Sequence, residues 1–282
     1  MPLDPEALVN ESVQIASLPS IFYEIDSAVE DPESSFSEIA QIISRDVALS
    51  ARLLKIVNSS FFGFSSRIET ITHAITIVGL AQLRDLVLAT TVVSQFRGVP
   101  QEVVNMERFW SHSIACGLAA RIIAIYRREP NAERYYVKGI LHDVGRLILF
   151  LNLPDKMKEA FSLYENDGGL LYEAERKVLG FDHSEVGGAL IQTWNLPPTL
   201  QETVRYHHNP SKAPQDPTSA SIIHLADIIA HAMQLGTSGE RWVPPLDAKV
   251  WGKINLPSHL IGSIVDQVDR QFVEASQMFQ AS

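Results

Sequence analysis

From Leu18 to Arg97 the apolar positions recur three and four residues apart, the spacing that gathers side chains on one face of an α-helix, and no alternating strand pattern competes. Ile21, Ile25, Ala28 and Val29 set the first such face. Ser35-Phe36-Ser37-Glu38 reads as a capping box ahead of Ile39, Ile42 and Ile43, and Asp46 as the cap of a helix carrying Leu49, Leu53, Ile56 and Val57. The pattern breaks at Asn58-Ser59-Ser60-Phe61-Phe62-Gly63, resumes from Thr70 to Val78, stops at Gly79 and runs on from Leu80 to Phe96. Propensity alone would mislead at Thr90-Thr91-Val92-Val93, whose β-branched side chains favour strands.

Gly98-Val99-Pro100-Gln101-Glu102 has a Gly, a Pro and no periodicity, and marks a boundary. Beyond it Met106 to Arg128 is a long helix whose inward face holds His112, Ala115, Cys116, Ala119 and Ile123. Asn131 is expected to cap a helix that carries His142 and Asp143 and ends at Leu153-Pro154. An amphipathic segment to Glu165 precedes the turn Asn166-Asp167-Gly168-Gly169, and Leu170 to Leu179 is helical up to Gly180. Asp182 then caps a helix with His183, Val186, Gly187, Leu190, Ile191 and Trp194 on one face. Its Gly187 and Gly188 cost helix stability, which points to close packing against another backbone or to an open site.

The next helix ends in His207-His208-Asn209-Pro210, residues 209 to 218 form a loop, and the helix from Ser219 to Leu235 aligns His224, Asp227 and His231. A polar loop from Gly236 to Pro245 and a helix from Leu256 to Phe279 complete the pattern. The expected fold is all-α, with an N-terminal helical subdomain over residues 1–97 and a helical bundle over residues 98–282.

Composition narrows the function classes. The 282 residues are 46% hydrophobic and 20% charged, which describes a globular chain with ample core. No apolar run approaches the roughly 18 residues of a membrane span, and the acidic start Met1-Pro2-Leu3-Asp4-Pro5-Glu6 lacks the basic region of a signal peptide, so a cytoplasmic location is expected. Cys116 is the only cysteine, which excludes an intramolecular disulfide and a thiolate zinc site. A formal charge of −10 argues against general nucleic-acid binding. Arg121, Arg127 and Arg128 form a local basic patch or a helix terminus that suits the dipole.

Candidate chemistry concentrates in the second block. Within Gly139-Ile140-Leu141-His142-Asp143-Val144-Gly145-Arg146, a carboxylate sits in a run that should be buried, and such a group is normally paired, hydrogen-bonded or metal-bound. His112, His183, His207, His208 and Asp227 each lie in an apolar-periodic segment, and with His142 and Asp143 they make seven nitrogen and oxygen donors. Two arrangements fit: a metal held between several helices, or a polar core in which Asp143 pairs with a buried cation such as Arg146. The first block holds His73 alone and no acid–base cluster, and reads as a packing or docking module. Its Phe61, Phe62 and Phe64 either form a knob for a partner or plug the neighbouring core.

From about Leu18 to Gln234 the chain resembles the HD-related output domain (HDOD) proteins of bacterial signalling, within the HD superfamily of metal-dependent phosphohydrolases. In the first block the resemblance rests on Leu18-Pro19, Arg45-Asp46-Val47-Ala48-Leu49, Leu53 to Ser59 and Ile75-Thr76-Ile77-Val78-Gly79-Leu80. In the second it rests on Trp110-Ser111-His112-Ser113, Gly139 to Arg146, His183-Ser184-Glu185-Val186-Gly187, Trp194-Asn195-Leu196-Pro197, His207-His208-Asn209-Pro210 and His224-Leu225-Ala226-Asp227. The superfamily's metal pattern carries onto His112, His142, Asp143 and Asp227, and the related HD-GYP cyclic-dinucleotide phosphodiesterases add positions matched by His183, His207 and His208. The resemblance therefore implies a centre of one or two divalent ions, with iron or manganese suited to such donors. Arg146 stands where HD-GYP proteins have a lysine, their Gly-Tyr-Pro signature is missing, and Arg108 stands where a third ion would need a carboxylate.

Two function classes follow. The first is a signal-transduction output module in which the second half binds a metal, nucleotide or phosphate ligand and the first half meets a protein partner. The second is a metal-dependent phosphohydrolase acting on a nucleotide or other phosphate ester. There Asp143 would orient the attacking group and Arg146 would contact the phosphate through its fork, without donating a proton.

Overall fold

The computed structural model describes residues 4–12, 17–59, 62–96 and 104–280. Among them the fold is all-α, with no strand. The expected boundary segment 98–102 and Phe61 lie outside the described residues. Contacts group the chain into two compact units: Leu18–Arg97 with Asp269–Ser282, and Met1–Ser17 with Gly98–Val268. Each terminal segment is thus grouped with the opposite half from the one expected of a cut at residues 97 and 98.

The unit built on Leu18–Arg97 contains helices Ser20–Glu30, Phe36–Ser44, Val47–Val57, Ile71–Val78 and Leu80–Gln95. The capping box forms, with the Ser35 side chain accepting from the Glu38 amide and the Glu38 carboxylate from the Ser35 amide. Asp46 caps the next helix through the Leu49 amide. At Gly79 the chain takes φ +97 and turns between two helices bent by 117°, a conformation that suits glycine. The loop after Val57 is pinned at its neck by Asn58, whose Nδ2 donates to the Ile68 carbonyl at 2.7 Å and whose Oδ1 accepts from the Ile68 amide at 2.7 Å. Phe62 and Phe64 stack with centroids 5.6 Å apart, and Phe64 is 39% exposed, so Phe64 plugs no core.

The larger unit is organised on Met106–Tyr126, which is buried on nearly every face because Glu133–Leu141 and Pro217–Ala232 pack along it. This helix is long and apolar enough to cross a membrane by length and composition, but 78% of the qualifying window is buried inside the protein. A Cβ on Gly139 would lie 2.5 Å from Cα of Gly117, so the Glu133–Leu141 helix approaches at backbone distance. Gly145 plays the same part between Val144–Asn152 and His183–Thr193, where a Cβ would meet the His183 carbonyl at 2.1 Å and the Gly187 amide at 2.3 Å. The sequence expectation of close backbone packing at Gly187 is met there.

Two local expectations fail. The helix after Asn131 begins at Glu133 with Ala132 as N-cap and no side-chain cap, since Asn131 adopts φ +53. His142 and Asp143 do not lie within a helix: Glu133–Leu141 ends before them and Val144–Asn152 starts after them. The break leaves Asp143 at φ −99, ψ 7 as the N-cap residue of the second helix, without a side-chain cap bond. Pro5–Glu11 and Ala248–Ile254 are helices too short for periodicity to announce.

Candidate metal centre

The seven members of the predicted donor set are delivered from five places in the fold. His112 comes from the interior of Met106–Tyr126, His142 and Asp143 from the break between two helices, and His183 from the first turn of a helix capped by Asp182. His207 and His208 follow the end of Pro198–Tyr206, and Asp227 belongs to Pro217–Ala232. The structure brings all seven together. His112 Nε2 lies 3.1 Å from Oδ1 of Asp227 and 3.9 Å from Oδ2 of Asp143, and His142 Nε2 lies 3.6 Å and 3.4 Å from the same two oxygens. On the other side, Oδ1 of Asp143 is 2.9 Å from His183 Nε2 and 3.7 Å from His207 Nε2, and His208 Nε2 is 3.0 Å from His183 Nε2.

Ring orientation follows from backbone partners. His142 Nδ1 is 2.6 Å from the Gly139 carbonyl and His207 Nδ1 is 2.8 Å from the Val204 carbonyl. A carbonyl only accepts, so each Nδ1 donates and each Nε2 is the nitrogen that faces the centre. Those Nε2 atoms, with His112 Nε2 and Asp227 Oδ1, are buried without a partner in hydrogen-bonding geometry. Such orphaned polar atoms are costly in a protein interior, and a cation that displaces any proton on the nitrogens is what would satisfy them together.

The electrostatics divide the imidazoles around the anionic carboxylates: His112 and His207 are kept neutral, whereas His142 and His183 are held protonated, burial of His142 being outweighed by Asp143, which lifts it well above the ordinary histidine range. Burial, with repulsion from His231, pushes His112 down to about 4, and burial with repulsion from His142 pushes His207 down to about 3. Burial opposes charge on Asp143 too, but Arg146, His142 and His183 outweigh it and hold its carboxyl well below the usual range. Asp227 is likewise held low against burial, by His231, His112 and His142. His183 is raised to about 9: burial and Arg146 oppose its charge, and Glu175 and Asp143 prevail.

Several participants were missed by sequence reasoning. His231 stands one helical turn after Asp227, with Nδ1 2.9 Å from its Oδ1, and the spacing of four was the signal for it. Glu175, fully buried, has one oxygen 2.6 Å from His183 Nδ1 and the other 3.1 Å from Arg146 Nε. Its position in Leu171–Leu179 gave no sign of this. His224, aligned with Asp227 in the sequence, instead braces the fold between the His207 carbonyl and the Asp247 amide.

Arg146 is buried and engaged throughout. It reaches Asp143 at 3.4 Å, Glu175 at 3.1 Å, the Ser238 hydroxyl at 2.5 Å and the Ser238 carbonyl at 3.2 Å, and its NH2 lies against the His183 ring. Ser238 belongs to the loop after Pro217–Ala232, and Glu240 anchors that loop by accepting from the Tyr164 hydroxyl, the Leu171 amide and the Trp242 amide. Tyr172, stacked on His208 at 4.1 Å, completes the wall. The cavity bounded by Asp143, Arg146, Tyr172, His208, Asp227 and Ser238 holds about 10 Å³.

Comparison with known proteins places this geometry. An uncharacterized protein of Treponema pallidum (strain Nichols) is 30% identical over 203 residues, covering 72% of this chain and 39% of the relative. The chain thus spans well under half the length of the curated relatives it matches, 39% of one and 37% of another. The crystal structure of an HDOD domain protein of unknown function from Geobacter sulfurreducens superposes with a TM-score of 0.75 at 25% identity, covering 98% of this chain and 97% of that one. A provisionally named phosphohydrolase from Shewanella amazonensis SB2B gives a TM-score of 0.75 at 24% identity, covering 97% of both chains, a likeness of fold. The HDOD domain model matches residues 15–210, a span that includes His112, His142, Asp143, His183, His207 and His208, and the chain belongs to the HDOD domain family.

Proposed function

We propose that this chain is a signal-transduction output domain whose larger unit carries an HD-type centre for divalent ions, iron or manganese, and whose helical unit around residues 18–97 meets a protein partner in the cytoplasm. The observation that carries the reading is the set of orphaned polar atoms on His112, His142, His207 and Asp227, buried around the low-pKa carboxylates of Asp143 and Asp227. His112, His142, Asp227 and Oδ2 of Asp143 would hold one ion, and His183, His207, His208 and Oδ1 of Asp143 a second. The donors are all nitrogen and oxygen, which suits iron and manganese. When bound, such ions supply Lewis acidity toward a phosphoryl oxygen.

Output is favoured over turnover because the space beside the centre is about 10 Å³, whereas small-molecule sites run to about 300–1,000 Å³. Arg146, proposed from sequence as a phosphate contact, is committed to Asp143, Glu175 and Ser238, so a phosphate would have to displace Ser238. Its role here is to hold Asp143 and the loop. Hydrolysis of a nucleotide or phosphate ester is the second reading, supported by the filled donor set, and it requires the loop around Ser238 to move. Elemental analysis of protein purified without chelator, followed by a turnover screen with the metal found, tests both. Bound iron or manganese without turnover is expected. Failure to bind any divalent ion at millimolar concentration would overturn the metal reading, and metal-dependent phosphate release would replace the first function with the second.

A further inference from the structure

We infer that Glu175 is a positioning residue that selects Nε2 of His183 as its ion-facing nitrogen and so sets the occupancy of the second metal position. The inference rests on the metal reading above and concerns a residue outside the donor set. Glu175 Oε2 sits 2.6 Å from His183 Nδ1 and accepts from the His183 backbone amide at 2.9 Å, gripping both ends of that residue. With the ring held this way, Nε2 faces Asp143 Oδ1 at 2.9 Å and His208 Nε2 at 3.0 Å. Glu175 is itself held by Arg146 Nε at 3.1 Å and is fully buried, so no water competes for the contact. The Arg146 NH2 group also lies 2.8 Å from His183 Nδ1, but the anionic Glu175 oxygen is nearer and takes the Nδ1 proton.

Both carboxylate oxygens are used as acceptors, one by Arg146 and one by His183. An amide cannot reproduce that. In Glu175→Gln, an oxygen turned to His183 would aim the NH2 group at the Arg146 donor. An oxygen turned to Arg146 would aim the NH2 group at His183 Nδ1, making Nδ1 the acceptor and placing the ring proton on Nε2, where it blocks ligation. The first metal position draws on His112, His142, Asp227 and Oδ2 of Asp143, and on none of the atoms that Glu175 holds, so it serves as an internal control. Groups that orient a ligating histidine typically change metal affinity by about 10–100-fold.

The test is titration of the metal-free full chain with Mn²⁺ alone, followed by ion counting and electron paramagnetic resonance, for the unmodified chain, Glu175→Gln and His183→Ala. Two ions with an exchange-coupled signal are expected for the unmodified chain. For each variant one ion should stay at unchanged affinity, with an isolated-ion signal, and the other should weaken by about 10–100-fold. Should Glu175→Gln fail to give helical, monodisperse protein, Glu175→Asp keeps the charge opposite Arg146, shortens the reach to His183 and should show the same selective loss. Two tightly bound, coupled ions in the folded Glu175 variant would overturn the inference while leaving the metal reading intact. A single ion in the unmodified chain would overturn the inference alone, and no bound ion would overturn both.

Discussion

Asp143 and His183 meet through one oxygen only: Oδ1 of Asp143 lies 2.9 Å from His183 Nε2, while Oδ2 faces His142 at 3.4 Å and Arg146 at 3.4 Å. The carboxylate thus stands between two sets of donors with one oxygen toward each. Glu175 also faces Arg146, so removing the Asp143 charge does not strand the guanidinium.

Asp143→Asn should therefore abolish most metal binding while the helical fold persists, with a stability loss below the roughly 3–5 kcal/mol that follows when a buried ion pair loses one partner outright. Bound metal and the unfolding midpoint, measured on the same sample, check this. Unchanged metal with a large stability loss would mean that Asp143 serves the core and not an ion.

Gly145→Ala should destabilise the larger unit by about 3 kcal/mol, because the added Cβ meets backbone atoms of His183 and Gly187, which cannot swing aside as a side chain can. Denaturant unfolding measures the loss. Stability matching the unmodified chain would show that the two helices separate easily and that their spacing does not fix the centre.

Glu240→Ala should free the loop around Ser238. The side chain accepts from the Tyr164 hydroxyl and from the Leu171, Arg241 and Trp242 amides, and each buried donor left unpaired costs about 1–3 kcal/mol. Amide hydrogen exchange over residues 236–245 should accelerate well before global unfolding does. Unaltered exchange there would show that Arg146 and Ser238 close the loop by themselves.

Acid should weaken the helix junction at Asp216. Burial raises its carboxyl, but the Ser219 hydroxyl and amide and Lys138 outweigh it and hold the pKa below the ordinary value. A folded pKa below the unfolded one of about 3.9 gives stability that is complete above that value and is lost as pH falls through the folded pKa. Asp216→Asn keeps an N-cap side chain but not the charge. The unfolding free energy of the two proteins should differ by a constant amount above about pH 5 and converge below about pH 4. Parallel curves throughout would assign the effect to capping alone.

What the sequence determined by itself was local. Helical spacing, the Ser35 capping box and the caps at Asp46 and Asp182 depend on residues within a turn of each other, and they fixed the all-α class. The donors His112, His142, Asp143, His183, His207, His208 and Asp227 were legible because charged and polar groups in apolar runs need partners. Only the tertiary structure decided which partners. The helix break at His142-Asp143 lets Asp143 face two donor sets, and the glycine contacts at Gly139 and Gly145 bring the helices close enough for that. Glu175 looks in sequence like any solvated glutamate of an amphipathic helix, and its helix carries it fully into the core against Arg146 and His183. Periodicity reports which face of a helix is buried; what that face meets depends on packing between segments far apart in the chain, which no local pattern encodes.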